Sequence, residues 1–131
     1  MTKRTIFFCI ATAGAIFVLI LVMANRGTDM EINRNITPSE ALAKMQNPGA
    51  IILDVRTARE FATGRIPGAI LLPDYELRER AHIILPNKDA LILVYCRSGV
   101  RSSDALQDLL ALGYTNVFNF GGIINWPYET E

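Results

Sequence analysis

The sequence predicts an α/β domain with an open, mainly parallel central sheet flanked by helices, preceded by one N-terminal hydrophobic helix. Two observations predict the domain: short continuous apolar runs alternate with amphipathic segments, and turn residues separate them. Short apolar runs are typical of strands covered on both faces, and the helices between them provide the crossovers that parallel strands need. A third observation, an uncharged run of 20 residues from Thr5 to Ala24, predicts the N-terminal helix.

The composition limits the classes of function. The chain has 131 residues, half of them hydrophobic, which is enough for one domain with a modest core. Lys plus Arg equals Asp plus Glu at 13 each, and no basic cluster stands out, so no nucleic-acid partner is expected. The chain has two cysteines, Cys9 and Cys96, and one histidine, His82. Because Cys9 lies inside the N-terminal apolar run, the exported part keeps one cysteine and one histidine, which are too few for the usual three or four zinc ligands. We therefore expect no metal and no cofactor.

The N-terminal segment, residues 1–24, is predicted to be either a transmembrane anchor or a signal peptide. Its uncharged run of 20 residues is long enough to cross a bilayer as a helix, whereas the apolar core of a secretory signal is typically shorter. Val22 and Ala24, however, form the small-residue pattern of a cleavage site before Asn25. The sequence leaves both alternatives open, and membrane association depends on whether the segment is retained.

With either an anchor or a signal peptide, the rest of the chain is predicted to lie on the same side of the membrane. Lys3 and Arg4 favour a cytoplasmic N-terminus, so the following residues are expected in the periplasm or on another extracytoplasmic face. Residues 25–35 are polar and contain a glycine, which predicts a linker, and residues 36–131 form the predicted domain. The exported residues carry 11 Lys and Arg against 13 Asp and Glu, a weakly acidic balance.

The first helix and strand of the domain are predicted by short, specific patterns. Thr37 is a suitable N-cap, Pro38 stands at the first helical position, and Glu40 follows three residues after the cap. This helix is expected to end near residues 47–49, which read Asn-Pro-Gly. The run AIILDV at 50–55 is then typical of a buried strand.

The remaining elements continue the alternation of helix and strand. Apolar residues at helical spacing predict helices, and short apolar runs predict strands. In chain order we expect a helical turn at 57–62, a loop at 64–69, a helix at 74–85, a strand at 91–95, a helix at 103–112 and a strand at 116–120. In such sheets, ligands bind beyond the carboxyl ends of the strands, and Cys96 lies at one of those ends.

The stretch CRSGVRS at 96–102 combines features that activate a thiol. Gly99 permits a tight turn, so that successive backbone N–H groups can point at one atom, and the following helix adds its positive end. A sulfur at that point has a pKa below the ordinary value of about 8.5. Arg97 and Arg101 add positive charge, and no histidine base is required. An inert core thiol and a dyad with His82 are the alternatives.

Three motifs together resemble a single-domain rhodanese, a sulfurtransferase. They are LDVRTAREFATGRIPGA at 53–69, CRSGVRS at 96–102 and GGIINW at 121–126, and the resemblance extends over residues 36–131. It implies an α/β fold with a central parallel sheet, and a catalytic Cys96 that carries a sulfur atom as a persulfide. It also implies a substrate-binding active-site loop made of Arg97, Ser98, Gly99, Val100 and Arg101.

The sequence does not decide the roles of all the arginines in these motifs. Arg97 and Arg101 can attract an anionic sulfur donor, or Arg101 can brace the loop by pairing with a buried acid. Arg65 stands at a position where the family often has histidine. This position lies outside the nucleophile motif. The other motif residues are interpreted as structural. They are Asp54, Arg56, Arg59 and Glu60 as a charge network, and Gly121, Gly122 and Trp126 as a closing turn with a packing aromatic.

The predicted reaction is transfer of sulfur from a small anionic donor such as thiosulfate, through the persulfide on Cys96, to cyanide or a thiol. A cysteine phosphatase or arsenate-reductase-like enzyme is one alternative. Phosphatases of related architecture place five residues between the cysteine and the arginine, whereas Cys96 and Arg101 enclose only RSGV, and Tyr95 stands where they often have histidine. The other alternative is a non-catalytic sulfur-carrier or binding module, which would serve a protein acceptor at the membrane.

Overall fold

The structure is a computed structural model that describes residues 32–131 of the chain. The predicted anchor or signal segment, residues 1–24, lies outside the described residues, as does most of the predicted linker. Within the described part, no helix is both long enough and apolar enough to span a membrane. The elements in chain order are α1 (Pro38–Met45), β1 (Ile51–Asp54), α2 (Ala58–Ala62), β2 (Ile70–Leu71), α3 (Asp74–Ile84), β3 (Ile92–Cys96), α4 (Val100–Ala111), β4 (Val117–Gly122) and a 3-10 helix (Ile123–Asn125).

The four strands form one parallel sheet in the order β2-β1-β3-β4. The predicted parallel sheet flanked by helices is therefore confirmed for the described residues. Asp54 at the end of β1 pairs with Tyr95 near the end of β3. Cys96 pairs with Gly122 of β4 after an irregularity in the register that follows Val94. The carboxyl ends of three neighbouring strands thus meet at the cysteine, where open α/β sheets bind ligands.

The core lies in two layers, one on each face of the sheet. Successive side chains of a strand point to opposite faces, so β3 contributes to both layers. Val94 and Cys96 lie in the layer that also contains residues of α3 and α4, whereas Leu93 and Tyr95 lie in the layer covered by α1. All five residues of β3 are buried. Burying one large apolar side chain contributes about 1.5–3 kcal/mol, so this central strand is an important source of stability.

Two helices begin with the same reciprocal cap. Thr37 accepts a hydrogen bond from the Glu40 N–H at 3.2 Å, and its own N–H donates to the Glu40 carboxylate at 2.7 Å. This confirms the predicted cap of α1. Thr57 and Glu60 repeat the arrangement at the start of α2, with distances of 3.2 and 2.9 Å. The second box fixes the position of the Glu60 carboxylate.

The structure corrects several predicted boundaries. α4 begins at Val100, not at Ser103, because Gly99 occupies the N-cap position without a side-chain cap that the sequence could reveal. The β3 strand extends to include Cys96. β2 and the 3-10 helix were not predicted, since each has only two or three residues. Before α1, Asn35 forms a parallel bridge with Asn119 of β4.

We predict that Tyr95→Phe destabilises the fold by about 1–3 kcal/mol, because it leaves the buried Ile66 N–H without its acceptor and removes one donor to the buried Asp54 carboxylate. The Tyr95 hydroxyl donates to the Asp54 carboxylate at 2.7 Å and accepts the Ile66 N–H at 3.1 Å. Urea unfolding measures the change. Tyr75→Phe is the matched control, since Tyr75 is 69% exposed and its substitution should change stability by less than about 0.5 kcal/mol. Equal effects of the two substitutions would contradict the prediction.

Candidate active site

Cys96 lies at the point where β3 turns into α4, and its side chain is fully buried. Gly99, at φ +105°, turns the chain back so that its N–H donates to the Cys96 Sγ at 3.0 Å. The left-handed backbone conformation favours glycine at this position. The loop from Arg97 to Gly99 therefore wraps around the sulfur, as the sequence predicts.

The surroundings of Cys96 lower its pKa. Burial is the largest single influence and opposes ionisation, but it is outweighed by donors directed at the sulfur. These donors are the hydroxyl and backbone N–H of Ser102 and the backbone N–H groups of Gly99 and Ser98. They stabilise the thiolate without a titrating base. His82 is exposed on the last turn of α3, and no hydrogen bond among the described residues joins it to Cys96.

Ser102 is a site residue that the sequence analysis did not single out. It is fully buried in the first turns of α4. Its hydroxyl has two carbonyl acceptors within reach, that of Gly99 at 3.1 Å and that of Gly121 at 3.2 Å, besides the nearby thiolate. A hydroxyl has one proton to donate, so it can serve the sulfur or hold the loop to the next strand.

The Gly121–Gly122 pair forms the floor of the loop. A Cβ on Gly122 would lie 2.2 Å from the Arg97 carbonyl oxygen and 2.6 Å from the Ser98 Cα, so only glycine fits beneath the loop. The Ile124 N–H also donates to the Arg97 carbonyl at 3.2 Å. The structural role predicted for this pair is more specific than a closing turn, because Gly122 permits the backbone contact that positions the loop.

Arg101 braces the loop. Its guanidinium donates to both oxygens of the Glu60 carboxylate, at 2.9 and 2.8 Å, and both side chains are partly buried. This arrangement selects the bracing alternative from the sequence analysis. The bidentate bond to Arg101 is the main cause that lowers the pKa of Glu60 from 4.5 to about 2, although burial opposes it. Glu60 thus ties the start of α2 to the start of α4.

The other predicted loop residues face solvent. Arg97 and Ser98 are exposed, and Val100 is 69% exposed at the first position of α4. The ion pairs of the described residues do not include Arg97, so its charge is available at the surface of the loop. No group of three or more metal-ligating side chains occurs in residues 32–131.

A buried network supports the sheet beside the site. Arg56 donates to both oxygens of Asp54 and to the Gly64 carbonyl, and the Tyr95 hydroxyl also donates to Asp54. This agrees with a structural interpretation of Asp54 and Arg56, whereas Glu60 of α2 pairs with Arg101. Arg65, at the position where the resemblance suggests histidine, pairs through its backbone and side chain with Glu131.

We predict that the Glu60–Arg101 pair stabilises the fold in a pH-dependent way. Because the folded-state pKa of Glu60 is lowered, its contribution is complete above about pH 4.5 and is lost as the pH falls toward about 2. Glu60→Gln should therefore cost about 1–3 kcal/mol near neutral pH, and the difference from wild type should shrink over that range. Denaturant unfolding at several pH values measures it.

Glu76→Gln is the matched control for this prediction. It removes an exposed ion pair with Arg80 on α3 by the same substitution. An exposed pair of this kind contributes about 0–1 kcal/mol, so the control should change stability little. A Glu60→Gln difference that stays constant down to about pH 2 would contradict the assignment of the low pKa to Glu60.

Comparisons with known proteins agree with this geometry. The sequence profile of the Rhodanese-like domain matches residues 37–127. The chain is 39% identical over 89 residues to a sulfurtransferase from Allochromatium vinosum, covering 67% of this chain and 79% of that protein. It is 34% identical over 102 residues to the thiosulfate sulfurtransferase GlpE from Pseudomonas putida, covering 74% and 91%.

A solved structure described as a rhodanese with anions from E. coli superimposes with a TM-score of 0.59 at 32% identity, covering 63% of this chain and 96% of that one. This similarity indicates that the two chains share the same fold over the aligned region. The family profile, the similar sequences and the similar fold all indicate the same family. The chain belongs to the family of rhodanese-like domains, and its relatives in that family include sulfurtransferases.

Proposed function

We propose that this protein is a sulfurtransferase that moves a sulfane sulfur from a small anionic donor, such as thiosulfate, to cyanide or a thiol through a persulfide on Cys96. The observation that carries the proposal is the loop that turns back at Gly99 and donates its N–H to the buried Cys96 Sγ at 3.0 Å. The lowered pKa of Cys96 supports it, because the thiolate is the nucleophilic form. The sulfurtransferase relatives support the same class of reaction.

In the first half-reaction, the Cys96 thiolate attacks the outer sulfur of thiosulfate. A bond forms between Sγ and that sulfur, the sulfur–sulfur bond of the donor breaks, and its electron pair leaves with sulfite. The negative charge passes from Sγ to the outer sulfur of the persulfide. The Gly99 N–H already donates to Sγ at 3.0 Å, and hydrogen bonding from Ser102 and Ser98 also favours the charged form, so the anionic site is stabilised without reorganisation during the reaction.

In the second half-reaction, an acceptor removes the outer sulfur and restores the thiolate. Cyanide attacks the outer sulfur and leaves as thiocyanate, while the electron pair of the persulfide bond returns to Sγ. A thiol acceptor is converted to a persulfide in the same way. The covalent intermediate separates donor and acceptor chemistry into two steps.

The two loop arginines have different roles in this proposal. Arg101 is held by Glu60 at 2.8 Å and therefore acts as a positioning residue. Arg97 is exposed and lies outside the ion pairs of the described residues, so it is the cation that attracts an anionic donor to the loop.

We also propose, from the sequence of residues 1–24, that the domain functions on the extracytoplasmic face of a membrane. Cell fractionation, together with the mass of the mature N-terminus, tests this proposal. Recovery of the full-length chain from the cytosolic fraction would contradict it.

Cys96→Ser is expected to abolish thiosulfate:cyanide sulfurtransferase activity, because the hydroxyl cannot carry the sulfur. Intact-mass analysis of the wild-type protein with thiosulfate should show a gain of one sulfur atom that cyanide removes. Cys9→Ser, which changes the other cysteine, should keep both properties. If Cys96→Ser turned over normally, the assignment would be wrong. If the wild-type protein gained sulfur but did not turn over with cyanide, the carrier alternative would replace the enzyme.

The thiolate should form below the pH at which an ordinary thiol of pKa about 8.5 ionises. Ultraviolet absorbance of the thiolate, taken as the difference between wild type and Cys96→Ser, measures the midpoint directly. Ser102→Ala is expected to raise the midpoint, because it removes a hydroxyl donor to the sulfur. Ser103→Ala, at an exposed neighbouring position, is the control and should leave it unchanged. A wild-type midpoint at the ordinary value would contradict the proposed activation.

Gly122→Ala should lower kcat/KM by at least about tenfold, because the new Cβ displaces the Arg97–Ser98 backbone and with it the donors to the sulfur. Steady-state kinetics and circular dichroism separate this loss from unfolding. Gly49→Ala is the control: its Cβ would lie 3.6 Å from the Asn47 Oδ1, an ordinary contact. Unchanged activity in a folded Gly122→Ala protein would show that the loop position is not needed.

A further inference from the structure

The loop that covers Cys96 is fastened on both sides. On one side, the Arg97 carbonyl accepts the Ile124 N–H at 3.2 Å, and the Arg97–Ser98 backbone rests directly on Gly122. On the other side, Arg101 is held by two hydrogen bonds to Glu60 at 2.9 and 2.8 Å. We call these contacts the loop clamp. Between its two ends, the Cys96 side chain has 0% exposure.

We infer that the loop clamp makes Cys96 selective for donors whose attacked sulfur is terminal, and that it protects the same thiolate from disulfides. This inference rests on the proposed sulfur transfer and adds a limit on the substrate class. The Glu60–Arg101 pair is the part of the clamp that a conservative substitution can loosen. Glu60 is thereby assigned a role in specificity, as a positioning residue.

The chemical argument compares two sulfur electrophiles. In thiosulfate the attacked sulfur is bonded only to the leaving sulfite, so one atom has to enter the cradle. In a disulfide the attacked sulfur also carries an organic group, which must enter with it. Since Sγ is buried, the loop has to yield for either reagent, and it has to yield further for the bulkier one. The loop clamp opposes that movement, so it slows the reaction with disulfides more than the reaction with thiosulfate.

The selectivity matters because the thiolate is activated. A lowered pKa increases the fraction of thiolate near neutral pH and with it the rate of exchange with disulfides, if access is free. Exchange would form a bond between Sγ and one disulfide sulfur and release the other as a thiolate, which blocks the site. With the loop clamp closed, the buried Cys96 thiolate can react with a terminal sulfur while its reaction with disulfides is hindered.

The test uses the full chain with Cys9→Ser, so that Cys96 is its sole thiol. Dithiodipyridine, a neutral aromatic disulfide, is the probe for disulfides, and thiosulfate is the probe for a terminal sulfur. Release of thiopyridone measures the first rate, and the gain of one sulfur atom by mass measures the second. We expect native Cys96 to react with dithiodipyridine at least about tenfold more slowly than the unfolded chain at the same pH, while thiosulfate still sulfurates it.

Glu60→Gln tests the clamp itself. Loosening it should raise the dithiodipyridine rate about tenfold and the sulfuration rate far less, so that the ratio of the two rates changes. Glu76→Gln, which removes an exposed ion pair on α3, should leave the ratio unchanged. The comparison of native with unfolded wild-type protein needs no variant and keeps the test valid if Glu60→Gln does not fold.

The outcomes separate this inference from the proposed function. Sulfuration by thiosulfate together with disulfide exchange as fast as in the unfolded chain overturns the selectivity and leaves sulfur transfer standing. An unchanged rate ratio in folded Glu60→Gln overturns the role of Glu60. Failure of thiosulfate to sulfurate native Cys96 overturns the proposed function itself, whatever the disulfide rate.

Discussion

The contact between two backbone segments, residues 97–98 and Gly122, is the constraint on which the site depends. A Cβ on Gly122 would lie 2.2 Å from the Arg97 carbonyl oxygen, so no other residue allows the loop to lie this close to β4. Because the two segments lie this close together, the chain can turn at Gly99, and the Gly99 N–H donates to the sulfur of Cys96. The parallel sheet contributes by pairing Cys96 with Gly122, which brings the nucleophile and the floor of its loop together.

A single carboxylate connects this loop with the rest of the domain. Glu60 accepts the Thr57 N–H at 2.9 Å as part of the cap of α2, and it also accepts both bonds from Arg101. The cap fixes the carboxylate before it meets the guanidinium, so less conformational freedom is lost when the ion pair forms. The helix start, the loop and the pKa of Glu60 are therefore coupled through one side chain.

The sequence predicts those parts of the fold that are encoded by local patterns. The box of Thr37 and Glu40 and the apolar run of β1 need no information from distant residues, and both are confirmed. The site is predictable as far as the loop motif reaches, which includes Cys96. The sequence leaves the acid that pairs with Arg101 unnamed, because Arg101 and Glu60 are 41 residues apart in the chain and meet only through tertiary contacts. The start of α4 is missed because its N-cap residue, Gly99, has no side chain that could form a recognisable cap.

The way in which the thiolate is stabilised also explains why the site can be both buried and reactive. Burial alone would raise the pKa of Cys96, and a neighbouring histidine would activate it only over the pH range in which that histidine is charged. The N–H groups of Ser98, Gly99 and Ser102 do not titrate, so their effect persists as the pH changes. Because these donors are fixed within the loop, stabilising the anion requires no water at the sulfur. A cradle of this kind can therefore exclude solvent and bulky reagents without losing the charge on its nucleophile.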